Sequence, residues 1–165
     1  RTKEAPKKTG LWKKRNENPF DLPLSIRKFI TVAAVLAMEC EAVILDEPTA
    51  GQDLYGIELL HNIIAELHAQ GKTVITITHD IDFAAENFQR IVVMAHRQIL
   101  KDGTPEEVFA DEPVLNEAML KGPCSGRLAR RLNLHGEILT NEQFLDAFCR
   151  IYERGASYEV INKEE

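Results

Sequence analysis

The amino-acid sequence predicts an α/β fold in which helices flank a parallel sheet and a small helical extension follows at the C-terminal end. Two short apolar runs carry this prediction, Ala42-Val43-Ile44-Leu45 and the β-branched Thr73-Val74-Ile75-Thr76-Ile77-Thr78. Such runs fit interior strands of a parallel sheet, where both faces are covered. Between them, Leu54 to Gln70 places Ile57, Leu60, Ile63, Ile64 and Leu67 on one helical stripe, and Gly71 stands where a helix would end. Strand, helix, strand in that order is a βαβ unit with a right-handed crossover.

The chain opens on a basic segment. Residues 1–20 hold seven Lys or Arg and two Glu, a balance of +5 within a chain total of −6, so the remainder carries −11. We read 1–20 as a solvated leader or linker, because Arg1 to Gly10 has little apolar surface to bury. From Ser25 to Met38 the sequence is apolar with small residues and follows Pro23, which predicts a largely buried helix with Ser25 as its N-cap. After the βαβ unit come a short helix over Ile81 to Asn87 and two strands, Arg90 to Ala95 and Gln98 to Lys101, joined as a hairpin near His96-Arg97. Thr104-Pro105-Glu106-Glu107 reads as a capping box opening a helix to about Ala110. Past Gly122-Pro123 the sequence gives a basic helical patch through Arg127, Arg130 and Arg131. Thr140 to Gln143 is a second capping box, opening a helix to about Glu153. The domain division expected is 1–20, 21–122 and 123–165.

Composition removes several classes of function. With 165 residues and 44% hydrophobic content the chain can bury a core, which excludes disorder throughout and fibrous repeats. No apolar stretch nears the roughly 18 residues of a membrane span, and no apolar segment follows the basic N-terminus as in a secretion signal. Cys40, Cys124 and Cys149 are widely spaced and form neither a CxxC pair nor a disulfide framework. An acidic body argues against a nucleic-acid surface, which needs concentrated basic charge.

Within the βαβ frame stand Ser25 at a helix start, Asp46 and Glu47 where the first strand ends, Asp53 in the loop beyond, and His79 ending the second strand. The carboxyl ends of adjacent parallel strands open into a common crevice, so Asp46, Glu47 and His79 should converge there. Two acids leaving a buried strand are costly unless something polar or cationic sits in the crevice.

The run from Ala42 through Asp46-Glu47-Pro48-Thr49-Ala50-Gly51-Gln52-Asp53, with Thr76-Ile77-Thr78-His79-Asp80 downstream, resembles the second half of an ABC transporter ATPase domain. More narrowly it is similar to the ATPase subunits of energy-coupling-factor importers, which Val35 to Met38 and Asp102 to Phe109 also match. The resemblance implies a P-loop NTPase-like three-layer sheet, here partial, lacking the half that carries Walker A. It implies ATP and Mg2+ as cofactors. Asp46 then matches the Walker B aspartate that holds Mg2+ through water, Glu47 the catalytic glutamate, and His79 the switch histidine at the γ-phosphate. Asp53 matches the loop aspartate that communicates across a head-to-tail dimer, and Ser25 the signature serine facing nucleotide on the other subunit. Implied partners are a transmembrane transporter subunit and a second ABC ATPase, identical or paralogous, with no nucleic acid. The implied location is the cytoplasmic face of the membrane, and the implied work is ATP-driven uptake of a vitamin or metal ion.

Two departures shape these expectations. The family signature continues from its serine with two glycines and a glutamine, whereas Ser25 is followed by Ile26-Arg27-Lys28, and Ile26 would crowd a close backbone approach. No GxxxxGK[ST] loop occurs. Gly71-Lys72-Thr73 only imitates its end, since the position of the first glycine is Glu66 and the triplet leads into a strand. The phosphate loop is therefore expected upstream of Arg1 in a parent protein, and this chain alone is expected to be inactive. The alternative is a non-hydrolysing interaction or regulatory module that keeps the ABC ATPase fold. His61 and His68 on one helix lack a third metal ligand, and Trp12 beside Lys13, Lys14 and Arg15 reads as a packing anchor.

Overall fold

The computed structural model describes residues 4–134 and 136–161, the segment 152–161 by its backbone alone. It divides into two compact units, residues 1–80 and 81–165.

In the first unit the order is α1 (Glu4–Lys8), two 3-10 turns (Leu11–Lys14 and Pro19–Asp21), α2 (Leu24–Ala37), β1 (Ala42–Asp46), α3 (Leu54–Ala69) and β2 (Thr73–Ile77). Strands β1 and β2 pair in parallel, with Ile44 opposite Ile75 and Asp46 opposite Ile77, so the predicted βαβ unit forms. Helix α3 buries Leu60, Ile63, Ile64 and Leu67 and packs on β2. Asp53 caps its start, and its end turns at Gly71, whose φ of 72° lies in the left-handed region that suits glycine.

Three expectations need correction here. The strands are not buried on both faces. Val43 and Leu45 are buried, but the opposite face leaves Ile44, Ile75 and Ile77 about half to two-thirds exposed, because no second helical layer covers it among the described residues of this unit. The N-terminal segment does bury apolar surface. Ala5 and Leu11 are in the core, and the Thr9 hydroxyl donates to the Ala5 carbonyl at 3.1 Å. A short amphipathic turn needs only one small residue facing inward, which composition does not reveal. Finally, Ser25 is not the N-cap of α2. That position is Pro23, extended at φ −54° and ψ 151° with no side-chain cap, and Ser25 is the second residue of the helix. The chain enters the helix straight from the proline, whose fixed φ suits a helix start and whose missing N–H leaves nothing to satisfy.

The second unit holds α4 (Ile81–Asn87), β3 (Ile91–Ala95), β4 (Gln98–Gly103), α5 (Pro105–Phe109), α6 (Glu112–Glu117), α7 (Cys124–Arg131) and α8 (Asn141–Ile161). The antiparallel β3–β4 hairpin turns at His96 and Arg97, both left-handed at φ 51° and 64°, the twist that a two-residue turn between right-twisted strands requires. Both predicted capping boxes form. Thr104 and Glu107 satisfy each other's backbone N–H groups, as do Thr140 and Gln143. Helix α6, which periodicity did not predict, is opened by Asp111 accepting from Val114 N–H and by Pro113 near its start. Val93, Val108, Phe109 and Leu115 form the core of this unit. No helix among the described residues is long and apolar enough to cross a membrane.

Candidate active site

The site is built where β1 and β2 end. Parallel pairing continues one step past β1, since Glu47 N–H donates to the Ile77 carbonyl at 2.8 Å. Glu47 itself is left-handed, at φ 44°. A non-glycine residue there is strained, and such strain persists only where neighbours over-determine it. The neighbours are identifiable: the Lys28 ammonium on α2 donates to the Glu47 carbonyl at 3.4 Å and also to that of Ala50.

With its backbone turned in this way, Glu47 sends its carboxylate toward the end of β2. Its Oε1 lies 3.6 Å from His79 Nε2, and the Thr78 hydroxyl donates to its Oε2 at 3.5 Å. The same hydroxyl accepts from Asp80 N–H at 3.0 Å. The histidine side chain is 89% exposed and that of Glu47 36%, so both reach solvent. Asp46 is the last residue of β1, exposed, and in register with Ile77 on the uncovered apolar face.

The other two candidates are placed differently. Asp53 uses Oδ1 to cap α3, accepting from Gly56 N–H at 2.8 Å. Ser25 is half-buried, and its carbonyl accepts from Gln52 Nε2 at 3.3 Å, which ties the start of α2 to the loop after β1. The structure therefore brings Glu47 and His79 together beside Asp46 and puts Ser25 and Asp53 at the two ends of the loop's supports. Reading the sequence missed the tethering roles of Lys28, Gln52 and Thr78. Only Lys28 carried a signal, as a cation where the family pattern has none.

Among the described residues no group of three His, Cys, Asp or Glu side chains is placed to hold a metal by itself. Exposed Asp46, followed in the chain by Glu47, suits Mg2+ nonetheless, since that ion takes one or two carboxylates and completes its shell with water and phosphate oxygens.

No protein-family model matches the chain. Over 119 residues, 72% of its length, it is 37% identical to the energy-coupling factor transporter ATP-binding protein EcfA2 of Mycoplasmopsis synoviae and covers 38% of that protein. Over 133 residues, 81% of its length, it is 38% identical to EcfA of Methanocaldococcus jannaschii and covers 48% of it. The chain thus spans less than half the length of these curated relatives. Among solved structures, CbiO1 of Clostridium perfringens, described as part of the ABC transporter complex CbiONQ, superposes with a TM-score of 0.61 at 31% identity, over 80% of this chain and 52% of that one. An ATP-binding cassette of an ABC transporter in its ADP conformation matches in fold, with a TM-score of 0.60 at 24% identity, over 72% of this chain and 48% of that one.

Proposed function

As the chain belongs to the ABC transporter ATPases and is most like the ATP-binding subunits of energy-coupling-factor transporters, we propose that it forms the water-activating half of a nucleotide site that drives uptake of a vitamin or metal ion. The observation that carries this reading is the approach of Glu47 to His79 beside Asp46 at the strand ends.

In this reading Asp46 would hold Mg2+ through water, and the ion when bound supplies positive charge against the β- and γ-phosphates of ATP. Glu47 orients the attacking water and takes up its proton at a carboxylate oxygen, while His79 donates toward the γ-phosphate. Phosphoryl transfer asks little covalent help, so positioning and charge neutralisation are where these side chains act. Asp53 and Ser25 serve a second ATPase subunit, identical or paralogous, and a transmembrane partner converts closure and reopening into transport. The ATPase portion is 21–122 and the extension 123–165. The uncovered Ile44, Ile75 and Ile77 face supports the view that a half carrying the phosphate loop packs there, because parallel sheets are covered on both sides. The isolated chain is accordingly expected not to hydrolyse ATP.

The test is complementation. The chain is joined to the N-terminal half of the M. jannaschii EcfA relative and ATPase turnover is measured. Turnover should appear, and Glu47→Gln should lower kcat by about 10²-fold or more while leaving ATP binding in place. Unchanged turnover would remove Glu47 from its role and the hydrolytic reading with it.

A further inference from the structure

A cavity of about 560 Å³ lies in the second unit between α6, the Leu120–Gly122 segment and α7, well within the size range of small-molecule sites. Four cationic side chains line it, Lys121, Arg127, Arg130 and Arg131, against a single carboxylate, Glu112. This concentration of positive charge occurs in a chain whose body beyond residue 20 is strongly acidic.

The cleft also has built features. Its floor is apolar: Leu115 is 4% exposed and belongs to the core of the unit. Arg130 is held in place, donating from Nη1 to Glu112 Oε1 at 2.7 Å. Its Nη2 lies 3.4 Å from where a Cβ on buried Gly122 would stand, so the bare backbone there leaves room for the guanidinium. One of its five N–H donors is used by Glu112, and the others remain for a ligand. Arg127 makes only a long contact to Cys124 Sγ at 3.6 Å, and Lys121 and Arg131 have no acidic partner among the described residues. Like charges gathered at a concave surface repel one another and focus a positive field, a condition that a multivalent anion relieves. Arginine forks suit phosphate oxygens in particular.

From this arrangement we infer that the Lys121, Arg127, Arg130 and Arg131 cleft is a binding site for a phosphate-bearing ligand, separate from the Glu47–His79 site. Glu112 orients Arg130, Arg127 and Arg131 supply the forks, and the leucines accept an apolar portion of the ligand.

The probe is pyrophosphate, titrated calorimetrically into the full chain with EDTA present, so that no divalent ion recruits it to Asp46 and Glu47. Saturable binding that weakens with salt is expected. The exposed substitutions Arg127→Glu and Arg131→Glu together should weaken it by about tenfold or more. Arg97→Glu, a single charge reversal of the same kind at the hairpin turn, should leave it unaltered. A parallel arm measures cosedimentation with phosphatidylglycerol vesicles. Retention competed by pyrophosphate assigns the phosphate to a lipid headgroup, and pyrophosphate binding without retention assigns it to a soluble compound; either supports the site. Binding in neither arm, or binding lost equally in Arg97→Glu, would overturn it.

Discussion

The imidazole of His79 and the carboxylate of Glu47, which leave the ends of two different strands, meet with Nε2 and Oε1 3.6 Å apart. The meeting depends on the left-handed backbone of Glu47, and hence on the groups that hold that backbone in a conformation it would not choose alone.

Lys28 ties α2 to the loop carbonyls of Glu47 and Ala50. Replacing it by Ala should cost roughly 1 kcal/mol, since the ammonium is partly solvated, and should loosen the loop before the core. Hydrogen exchange at Ala50 and Gly51 is expected to speed up while exchange in α3 stays unchanged. Equal acceleration in both would show that Lys28 is no local tether.

Asp53 is the N-cap of α3. Asp53→Ala should destabilise the first unit by about 1 kcal/mol and Asp53→Ser by much less, because serine also caps well. Denaturant melts of the three proteins check this. A serine variant as weak as the alanine one would point to the charge of Asp53 rather than its capping oxygen.

Gly126 sits in α7 where an added Cβ would stand 2.6 Å from the Ile138 carbonyl oxygen. The obstacle is backbone, which cannot swing aside as a flexible side chain can. Gly126→Ala should therefore push apart α7 and the segment before α8, costing on the order of 1–3 kcal/mol, although alanine is the better helix former. A variant of equal or greater stability in thermal melts would contradict this packing.

Acid should weaken the second unit. Hydrogen bonds from Arg90 hold the Asp102 carboxyl below its usual 3.8, and those from Lys101 and then the Val114 N–H do the same for Asp111. A lowered folded-state value means that the stabilisation is present above the unfolded value and is lost as pH falls through the folded one. Melting temperature should drop below about pH 4. Asp102→Asn with Asp111→Asn should be less stable at neutral pH and flatter across the acid range. Asp102 is exposed and Asp111 partly so, and the difference should be modest and should shrink with salt.

Much of the local structure was legible because it is written in neighbouring residues. The stripe from Ile57 to Leu67, the Thr104–Glu107 and Thr140–Gln143 boxes, and the turn at His96-Arg97 each depend on side chains within one or two turns of one another. The acid pair and the histidine were legible as a motif, and the parallel pairing that brings their strands together followed from the βαβ order. Helix α6 was not, because its capping comes from Asp111 and Pro113 while its apolar pattern is too short to register a period.

The sequence by itself determined the α/β class, the order of its principal elements and the membership of the chain among ABC transporter ATPases, since those rest on local pattern and on residue identity. Tertiary structure alone decided that Ser25 lies inside α2 instead of capping it, that Lys28 grips the loop after β1, that Ala5 and Leu11 join the core, and that one face of the strands stands open. The last three of these turn on contacts between residues far apart in the chain. Such contacts are fixed by how packed elements meet, which no window of sequence contains.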